Sequence, residues 1–121
     1  MINEMKLSQV DPGITVAAII GRLTIGNLLL SMQNSICKGV DGGAKKLVVD
    51  LTNLDSIDSA GIGMLIHVQG HINQAGGQVR VAGAKGAVAR SFEIVHMHRV
   101  MQLDPDLESA CASLAGNAAS A

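Results

Sequence analysis

Three short apolar runs, separated by segments of helical spacing, constrain the fold of this chain more than any other feature. The runs are ITVAAIIG (14–21), KKLVVDL (45–51) and QVRVAG (78–83). A short, nearly continuous apolar run is typical of a strand covered on both faces. A strand–helix–strand order predicts parallel neighbours joined by right-handed crossovers. The predicted buried helical positions are Leu29, Met32, Ile36 and Val40 in the first segment and Met64, Leu65, Val68 and Ile72 in the second.

The start of the chain predicts an antiparallel addition to this sheet. Residues 2–10 alternate loosely between apolar and polar side chains, and Pro12 and Gly13 then form a turn signal. We therefore expect a small layered α/β domain whose mixed, mostly parallel sheet has four to five strands, with about four helices. The 121 residues are enough for one domain with a single core, which we place at residues 1–115.

Two helices are predicted after the last of these strands. The buried side of the first, GAVARSFEIV, comprises Val88, Phe92 and Val95. In the second, DPDLESACASL, Asp104 is the expected cap and Pro105 the first helical residue, a position that proline favours. The apolar stripe of this second helix comprises Leu107, Ala110, Cys111 and Leu114. The small and polar residues 116–121 predict a flexible tail.

Composition narrows the classes of function. The chain has no Trp or Tyr and one Phe, and its formal net charge is −1. Nucleic-acid sites rely on aromatic stacking and positive charge, so that class is not expected. Cys37 and Cys111 have no metal-like spacing and predict buried thiols in a reducing compartment. The charged N-terminus and the lack of a long apolar run predict a cytoplasmic protein without a membrane span, and we expect no cofactor or metal.

The segment NLDSIDSAGIGMLI (53–66) has two glycines at the start of a predicted helix, which helix stability alone does not explain. Gly61 and Gly63 fall in the first turn of a predicted helix, where each costs about 1 kcal/mol against alanine. An N-cap contributes only about 1 kcal/mol, so we expect a bare surface that a partner approaches closely. Asp58 is a candidate N-cap that leaves Ser59 at the first helical position with its hydroxyl outward. The alternative is that Ser59 is itself the cap, although neither residue begins a capping box.

A phosphate on Ser59 is physically compatible with this position. Helix N-termini have free N–H groups and a partial positive charge, so they accept anions. Phosphorylation adds about −1.5 to −2 charges, which the neighbouring Asp58 would repel. The residues therefore favour a docking surface that phosphorylation turns off.

Enzymatic and metal-binding interpretations fit these residues less well. His67 lies eight positions after Ser59, about 12 Å along a helix, which is too far for it to act as a base. A nucleophile elbow needs glycine where Ile57 stands. His67 and His71 have i, i+4 spacing, but no third metal ligand is obvious. The two histidines of VHMHRV would need an unpredicted loop to reach Ser59.

A response-regulator receiver is another alternative. Asp50 ends the LVVD strand as an acceptor aspartate would, and Lys85 follows a later strand. A receiver also needs acids after its first strand to hold magnesium, and AIIGRL supplies none. We therefore interpret Asp50 as a polar residue that ends a strand.

The longer segment VVDLTNLDSIDSAGIGMLI (48–66) closely resembles the signature of STAS domains, in particular the bacterial anti-sigma-factor antagonists. In that family an Asp-Ser-x-Gly-[Leu/Ile]-Gly motif follows the central strand, and here residues 58–63 match it. The resemblance covers nearly the whole chain, since IIGRL resembles the end of the family's second strand and GGQVRVAGAKGAVARSFEIV its closing strand and helix. One departure is Thr24, where many relatives have aspartate.

The resemblance implies a regulatory binding module that is not an enzyme. Its phosphorylated serine would be Ser59, and the unphosphorylated form would bind an anti-sigma factor, often itself a serine kinase, and so free a sigma factor. The implied partner-binding residues are Asp58, Ser59, Ala60, Gly61, Ile62 and Gly63, with Arg22 and Thr24 at the edge of the same surface.

The sequence leaves three points open. Ile62 is either an apolar partner contact or an ordinary core residue. The aliphatic stretch GNLLLSM is either core or contact, so a homo-oligomer is possible. STAS domains also occur in stress-signalling and inner-membrane lipid-transport complexes, so a scaffold subunit without phospho-regulation is the alternative function.

Overall fold

The structure, a computed structural model, describes residues 3–120, with side chains described for residues 3–116. Within that range the chain forms six β-strands, four α-helices and one 3₁₀ turn. The strands are β1 (Glu4–Val10), β2 (Ile14–Leu23), β3 (Lys46–Asp50), β4 (Leu54–Ile57), β5 (Gln78–Ala82) and β6 (Gln102–Asp104). The helices are α1 (Asn27–Asp41), α2 (Ser59–Gln74), α3 (Gly86–Ile94) and α4 (Leu107–Ser120), and the 3₁₀ turn is Met97–Arg99.

The strands join in one mixed sheet. Its order is β1-β2-β3-β5-β6, with β1 antiparallel to β2 and the other neighbours parallel. β4 pairs in parallel with the end of β2, beyond the stretch of β2 that pairs with β3. The predicted α/β class, the opening hairpin and the mostly parallel sheet are confirmed.

The sequence pattern misses two strands, β4 and β6. They have four and three residues, too few to show a period-2 pattern. Tertiary contacts place them instead. The Leu51 N–H donates to the Ala82 carbonyl at 2.8 Å, and the Leu54 N–H donates back to the Leu51 carbonyl at 3.0 Å. These bonds turn the chain at the end of β3 and start β4.

Helices α1, α2 and α3 cover one face of the sheet, and α4 covers part of the other. The four buried positions predicted on α1 and the four predicted on α2 are all confirmed. The smaller core under α4 comprises Ile14, Val16, Val48, Ala82, Ala110 and Leu114. Since α4 contacts β3, β5 and β6, it leaves β1 open, and residues 6–10 are all exposed.

The prediction that Val95 is buried is wrong. Val88 and Phe92 are buried as expected, but Val95 is 48% exposed. The reason is that α3 ends at Ile94 and the chain then turns at His96, whose φ of 54° lies in the left-handed region. The helical spacing therefore no longer applies to Val95.

The predictions that Asp104 caps the last helix and that Pro105 is its first residue are also wrong, since α4 begins at Leu107. Asp104 lies in β6, and its Oδ2 accepts a hydrogen bond from Arg80 Nε at 2.6 Å in a mostly buried ion pair. Asp106 is the cap instead, since its Oδ1 accepts from the Ser109 N–H at 2.7 Å. This backbone hydrogen bond is the main cause that lowers the pKa of Asp106 from its ordinary value, with the Ser109 side chain as a second cause.

Cys37 and Cys111 are free thiols that are half-buried, and burial is the main cause that raises the pKa of each. α4 runs to Ser120 and residue 121 lies outside the described residues, so the tail expected at 116–121 stays a prediction. Among the described helices, none is long and apolar enough to cross a membrane.

Candidate functional site

The segment 58–63 lies where the chain passes from β4 into α2, at the carboxyl edge of the parallel strands. At the end of β3, Asp50 Oδ1 accepts hydrogen bonds from the Thr52 N–H at 3.1 Å and from the Thr52 hydroxyl at 2.6 Å. The turn that these bonds stabilise brings β4 beside the end of β2. Binding sites of open α/β sheets form at this edge. Asp50 therefore acts as the strand-end polar residue that the sequence predicts.

Asp58 caps α2 and also binds a second segment of the chain. Its Oδ1 accepts from the Gly61 N–H at 2.9 Å, and its Oδ2 accepts from the Ile25 N–H at 2.9 Å, 33 residues away in sequence. These bonds, the one from Ile25 first, lower the pKa of Asp58 from its ordinary value. One carboxylate therefore joins the loop between β2 and α1 to the first turn of α2.

Ser59 is the exposed first residue of α2. Because the Asp58 side chain accepts the capping hydrogen bond, the alternative in which Ser59 is the cap is wrong. Within the described part of the chain, no group hydrogen-bonds to the Ser59 side chain. Its hydroxyl therefore lies at a helix N-terminus, open to solvent.

The two glycines of the segment have different surroundings. A Cβ on Gly61 would lie 2.2 Å from the Leu23 carbonyl oxygen and 2.7 Å from Ile57 Cγ1. The packing of α2 on β2 therefore requires Gly61, which is a different reason from the expected approach of a partner. Gly63 is exposed, and a Cβ there would meet no heavy atom within 4 Å. The open surface expected at both glycines is present at Gly63.

The remaining predicted residues lie close by in the fold. Ala60 and Ile62 are half-buried and pack against the main core. Arg22 is exposed and pairs with Ser56 of β4, while Thr24 is half-buried. Arg22 and Thr24 also line one groove of about 140 Å³. The fold thus brings all the predicted residues to one region, and their role in partner binding stays a prediction.

Sequence reasoning misses Ile25 as a candidate contact. Its backbone N–H is held by Asp58, while its side chain is 80% exposed. Leu28, in the first turn of α1, is 44% exposed. Leu28 belongs to the stretch GNLLLSM, which the sequence left open as core or contact, and it lies off the buried stripe of α1. Ile25 lies in a loop, where no periodic signal applies.

The histidines and acids form a separate set of contacts. His71 Nε2 lies 2.7 Å from Asp41 Oδ1, which links the C-terminal ends of α2 and α1. The His67 and His71 rings stack with their centroids 6.4 Å apart. His98 lines a groove of about 240 Å³ between α3 and β6. Among the described residues, no group of three His, Cys, Asp or Glu side chains could hold a metal ion.

Comparison with known proteins shows the family and the fold of the chain. The STAS domain family model matches residues 6–110 of the chain. A variant of RsbS from Moorella thermoacetica is 22% identical, with a TM-score of 0.81 over 95% of this chain and 97% of that one.

Two further structures are of SpoIIAA from Bacillus, an anti-sigma factor antagonist. Its unphosphorylated form is 18% identical, with a TM-score of 0.79 over 93% of this chain and 97% of that one. Its phosphorylated form is 17% identical, with a TM-score of 0.71 over 91% and 98% of the two chains. At these identities the likeness shows a shared fold.

Proposed function

The chain belongs to the STAS domain family, and from that premise we propose that it is an anti-sigma-factor antagonist switched by phosphorylation of Ser59. Its unphosphorylated form binds an anti-sigma factor that is also a serine kinase, and so releases a sigma factor. One observation carries the proposal: Ser59 is exposed at the first position of α2 while Asp58 performs the capping. The hydroxyl is therefore free for a kinase.

The proposed reaction makes this chain the substrate of its partner. Ser59 Oγ forms a bond to the γ-phosphorus of ATP, and the bond from that phosphorus to the bridging oxygen of ADP breaks. The hydroxyl proton passes to a base of the kinase or to water. All the catalytic groups belong to the kinase, so this chain is not an enzyme.

The phosphate acts on the partner contact more than on the fold. It adds about −1.5 to −2 charges beside Asp58, whose carboxylate oxygens already accept hydrogen bonds from Gly61 and Ile25. The partial positive charge of the helix N-terminus offsets part of the repulsion within the chain. A partner packed over Ile25 and Gly63 would have to bury that charge, which is costly without a pairing group.

The proposed partner surface consists of the first turn of α2 and the adjoining loop of β2. Ser59 and Gly63 are exposed on the helix, and Arg22 and Ile25 are exposed on the loop side. Asp58 positions both parts, since it binds the backbone of each. The name of SpoIIAA, an anti-sigma factor antagonist of the same fold, supports the class of partner. We place this binding in the cytoplasm, where sigma factors act.

The test compares wild type with Ser59→Ala and Ser59→Asp as baits in lysate of the source organism, with bound proteins identified by mass spectrometry. Ser8→Asp, at an exposed serine of β1, is the control for added charge. Circular dichroism checks that each variant folds. We expect wild type, Ser59→Ala and Ser8→Asp to retain an ATPase-like anti-sigma factor, and Ser59→Asp to lose it.

A second step tests the covalent reaction. The captured protein is purified and incubated with wild type or Ser59→Ala in the presence of ATP and Mg²⁺. We expect wild type alone to gain the mass of one phosphoryl group, mapped to Ser59. If all the variants retain the same proteins and no phosphate is added, the chain is a scaffold subunit and the switch is wrong.

A further inference from the structure

The outer edge of β1 has backbone groups that no other strand of the described chain pairs with. β1 is the first strand in the sheet order and pairs only with β2. It has seven residues, whereas β6 at the opposite edge has three. A long exposed edge is a template for pairing with another strand. We propose that β1 pairs antiparallel with β1 of a second copy, which gives a symmetric dimer with one continuous sheet.

Exposure of β1 on both faces leaves room for this pairing. Asn3 and residues 6–10 are exposed, Glu4 and Met5 are half-buried, and α4 lies over β3, β5 and β6 instead. Leu7 is 49% exposed on one face of β1, and Val10 is 38% exposed on the other. A second copy can therefore approach the edge without displacing any helix.

Charge selects one register for the two strands. Glu4 and Lys6 lie on the same face of β1, because they are two residues apart in a strand. In an antiparallel pair centred on Met5, residues 3–7 are the described residues of the two copies that face each other, and Glu4 of each copy lies directly opposite Lys6 of the other. Opposite charges at such positions stabilise a strand pair, and like charges destabilise it.

Neighbouring registers lack this match. A pair centred on Lys6 would place the two lysines opposite each other. A pair centred on Leu7 would place Lys6 opposite Ser8 and Glu4 opposite Val10. Among these three registers, only the one centred on Met5 pairs both charges, and it does so twice by symmetry.

The other face of β1 supplies an apolar contact in the same register. Met5 packs against the core and, with Leu28 and Met32, lines a groove of about 140 Å³. Centring on Met5 places the two Met5 side chains opposite each other. The exposed Leu7 of each copy then lies diagonally across from Met5 of the other, within reach of a side-chain contact. Ion pairs therefore form on one face of the joined strands and apolar contacts on the other.

The expected dimer is weak but selective. Pairing of one strand buries less than the roughly 1,200–2,000 Å² of a stable interface, so we expect association only at high protein concentration. A lysine on an edge strand deters pairing with unrelated strands. Here Glu4 of the second copy matches Lys6, so the deterrent does not apply to self-association.

The first test reverses the charges. Glu4→Lys and Lys6→Glu each place like charges opposite each other, so in sedimentation equilibrium we expect about tenfold weaker self-association than wild type. An equimolar mixture of the two single variants restores opposite charges across the pair and is expected to associate as well as wild type. Circular dichroism confirms that each variant folds. Unchanged association in the single variants, or no recovery in the mixture, overturns the proposal.

The second test measures the register by disulfide formation in a Cys37→Ser, Cys111→Ser background. Directly opposite residues of antiparallel strands have Cα atoms about 4.5–5.5 Å apart, which suits a disulfide. Oxidation of Met5→Cys is therefore expected to give covalent dimers. Leu7→Cys is the matched control, since the two Leu7 positions would be about 13 Å apart in this register. Cross-linking at Leu7, or at neither position, overturns the proposal.

Discussion

The first turns of α2 and α4 both begin after a capping aspartate, but the two aspartates differ in how far along the chain their hydrogen-bond partners lie. Asp106 accepts a hydrogen bond from Ser109, three residues away in the same helix. Asp58 accepts one from Gly61 of its own helix and one from Ile25, 33 residues away. The start of α4 is thus a local helix end. The start of α2 is a junction of three segments, because β2 also lies against Gly61.

The largest expected effect comes from filling the close contact at that junction. Gly61→Ala forces a Cβ against the Leu23 carbonyl oxygen, so we expect it to lower the free energy of unfolding by about 1–3 kcal/mol or more. Gly116→Ala in α4 is the matched control, since a Cβ there meets no atom within 4 Å. Urea denaturation measures both. Equal stability of the two variants would contradict a close contact between Gly61 and the Leu23 carbonyl.

The second effect compares the two caps directly. Asp58→Ala removes a cap and a hydrogen bond to a distant loop, and we expect it to cost about 2 kcal/mol. Asp106→Ala removes a local cap at an exposed position, and we expect a smaller loss of stability. Hydrogen exchange gives a further readout, because the Ile25 amide should exchange faster in Asp58→Ala and not in Asp106→Ala. The same loss of stability in both variants would mean that the hydrogen bond between Asp58 and Ile25 adds nothing to stability.

The third effect is a pH dependence. The pKa of Asp58 is lower in the folded protein than the unfolded value of about 3.9, so the folded state binds this proton less readily. Its contribution is therefore present above about pH 4 and is lost as the pH falls through the folded-state pKa. Asp58→Asn keeps one acceptor oxygen, and we expect it to be about 1 kcal/mol less stable than wild type at pH 7. In urea titrations this gap should narrow towards pH 3, and a constant gap would show that ionised Asp58 adds no stability.

The smallest effect has the opposite sign. Gly63 is a residue of helix α2, and a Cβ there would meet no heavy atom within 4 Å. Because alanine favours a helix more than glycine does, Gly63→Ala is expected to raise the free energy of unfolding by up to about 1 kcal/mol. Thermal unfolding of Gly63→Ala and Gly61→Ala measures this difference. We expect the two substitutions, two residues apart, to change the stability in opposite directions. Destabilisation by Gly63→Ala would mean that the space above this residue is needed by the fold.

Most of the fold could be predicted from periodicity. The buried stripes of α1 and α2 follow from helical spacing, and β2, β3 and β5 follow from short apolar runs. Strands β4 and β6 could not be predicted, because three or four residues show no period and their pairing depends on neighbouring strands. The error at Asp104 has the same origin. Its partner, Arg80, is distant in sequence and becomes a neighbour only when β5 and β6 pair.

At the candidate site, the sequence alone determined the residue types and their local order. An aspartate before a serine at a helix start specifies a cap followed by an outward hydroxyl, because both features depend on a few consecutive residues. Tertiary structure decided the rest. Whether a glycine is needed depends on what lies above it, and that is the Leu23 carbonyl for Gly61 and solvent for Gly63. The exposure of Ile25 also depends on tertiary structure. The loop that carries Ile25 is held by the carboxylate of Asp58, the N-cap of α2, which lies 33 residues away in sequence.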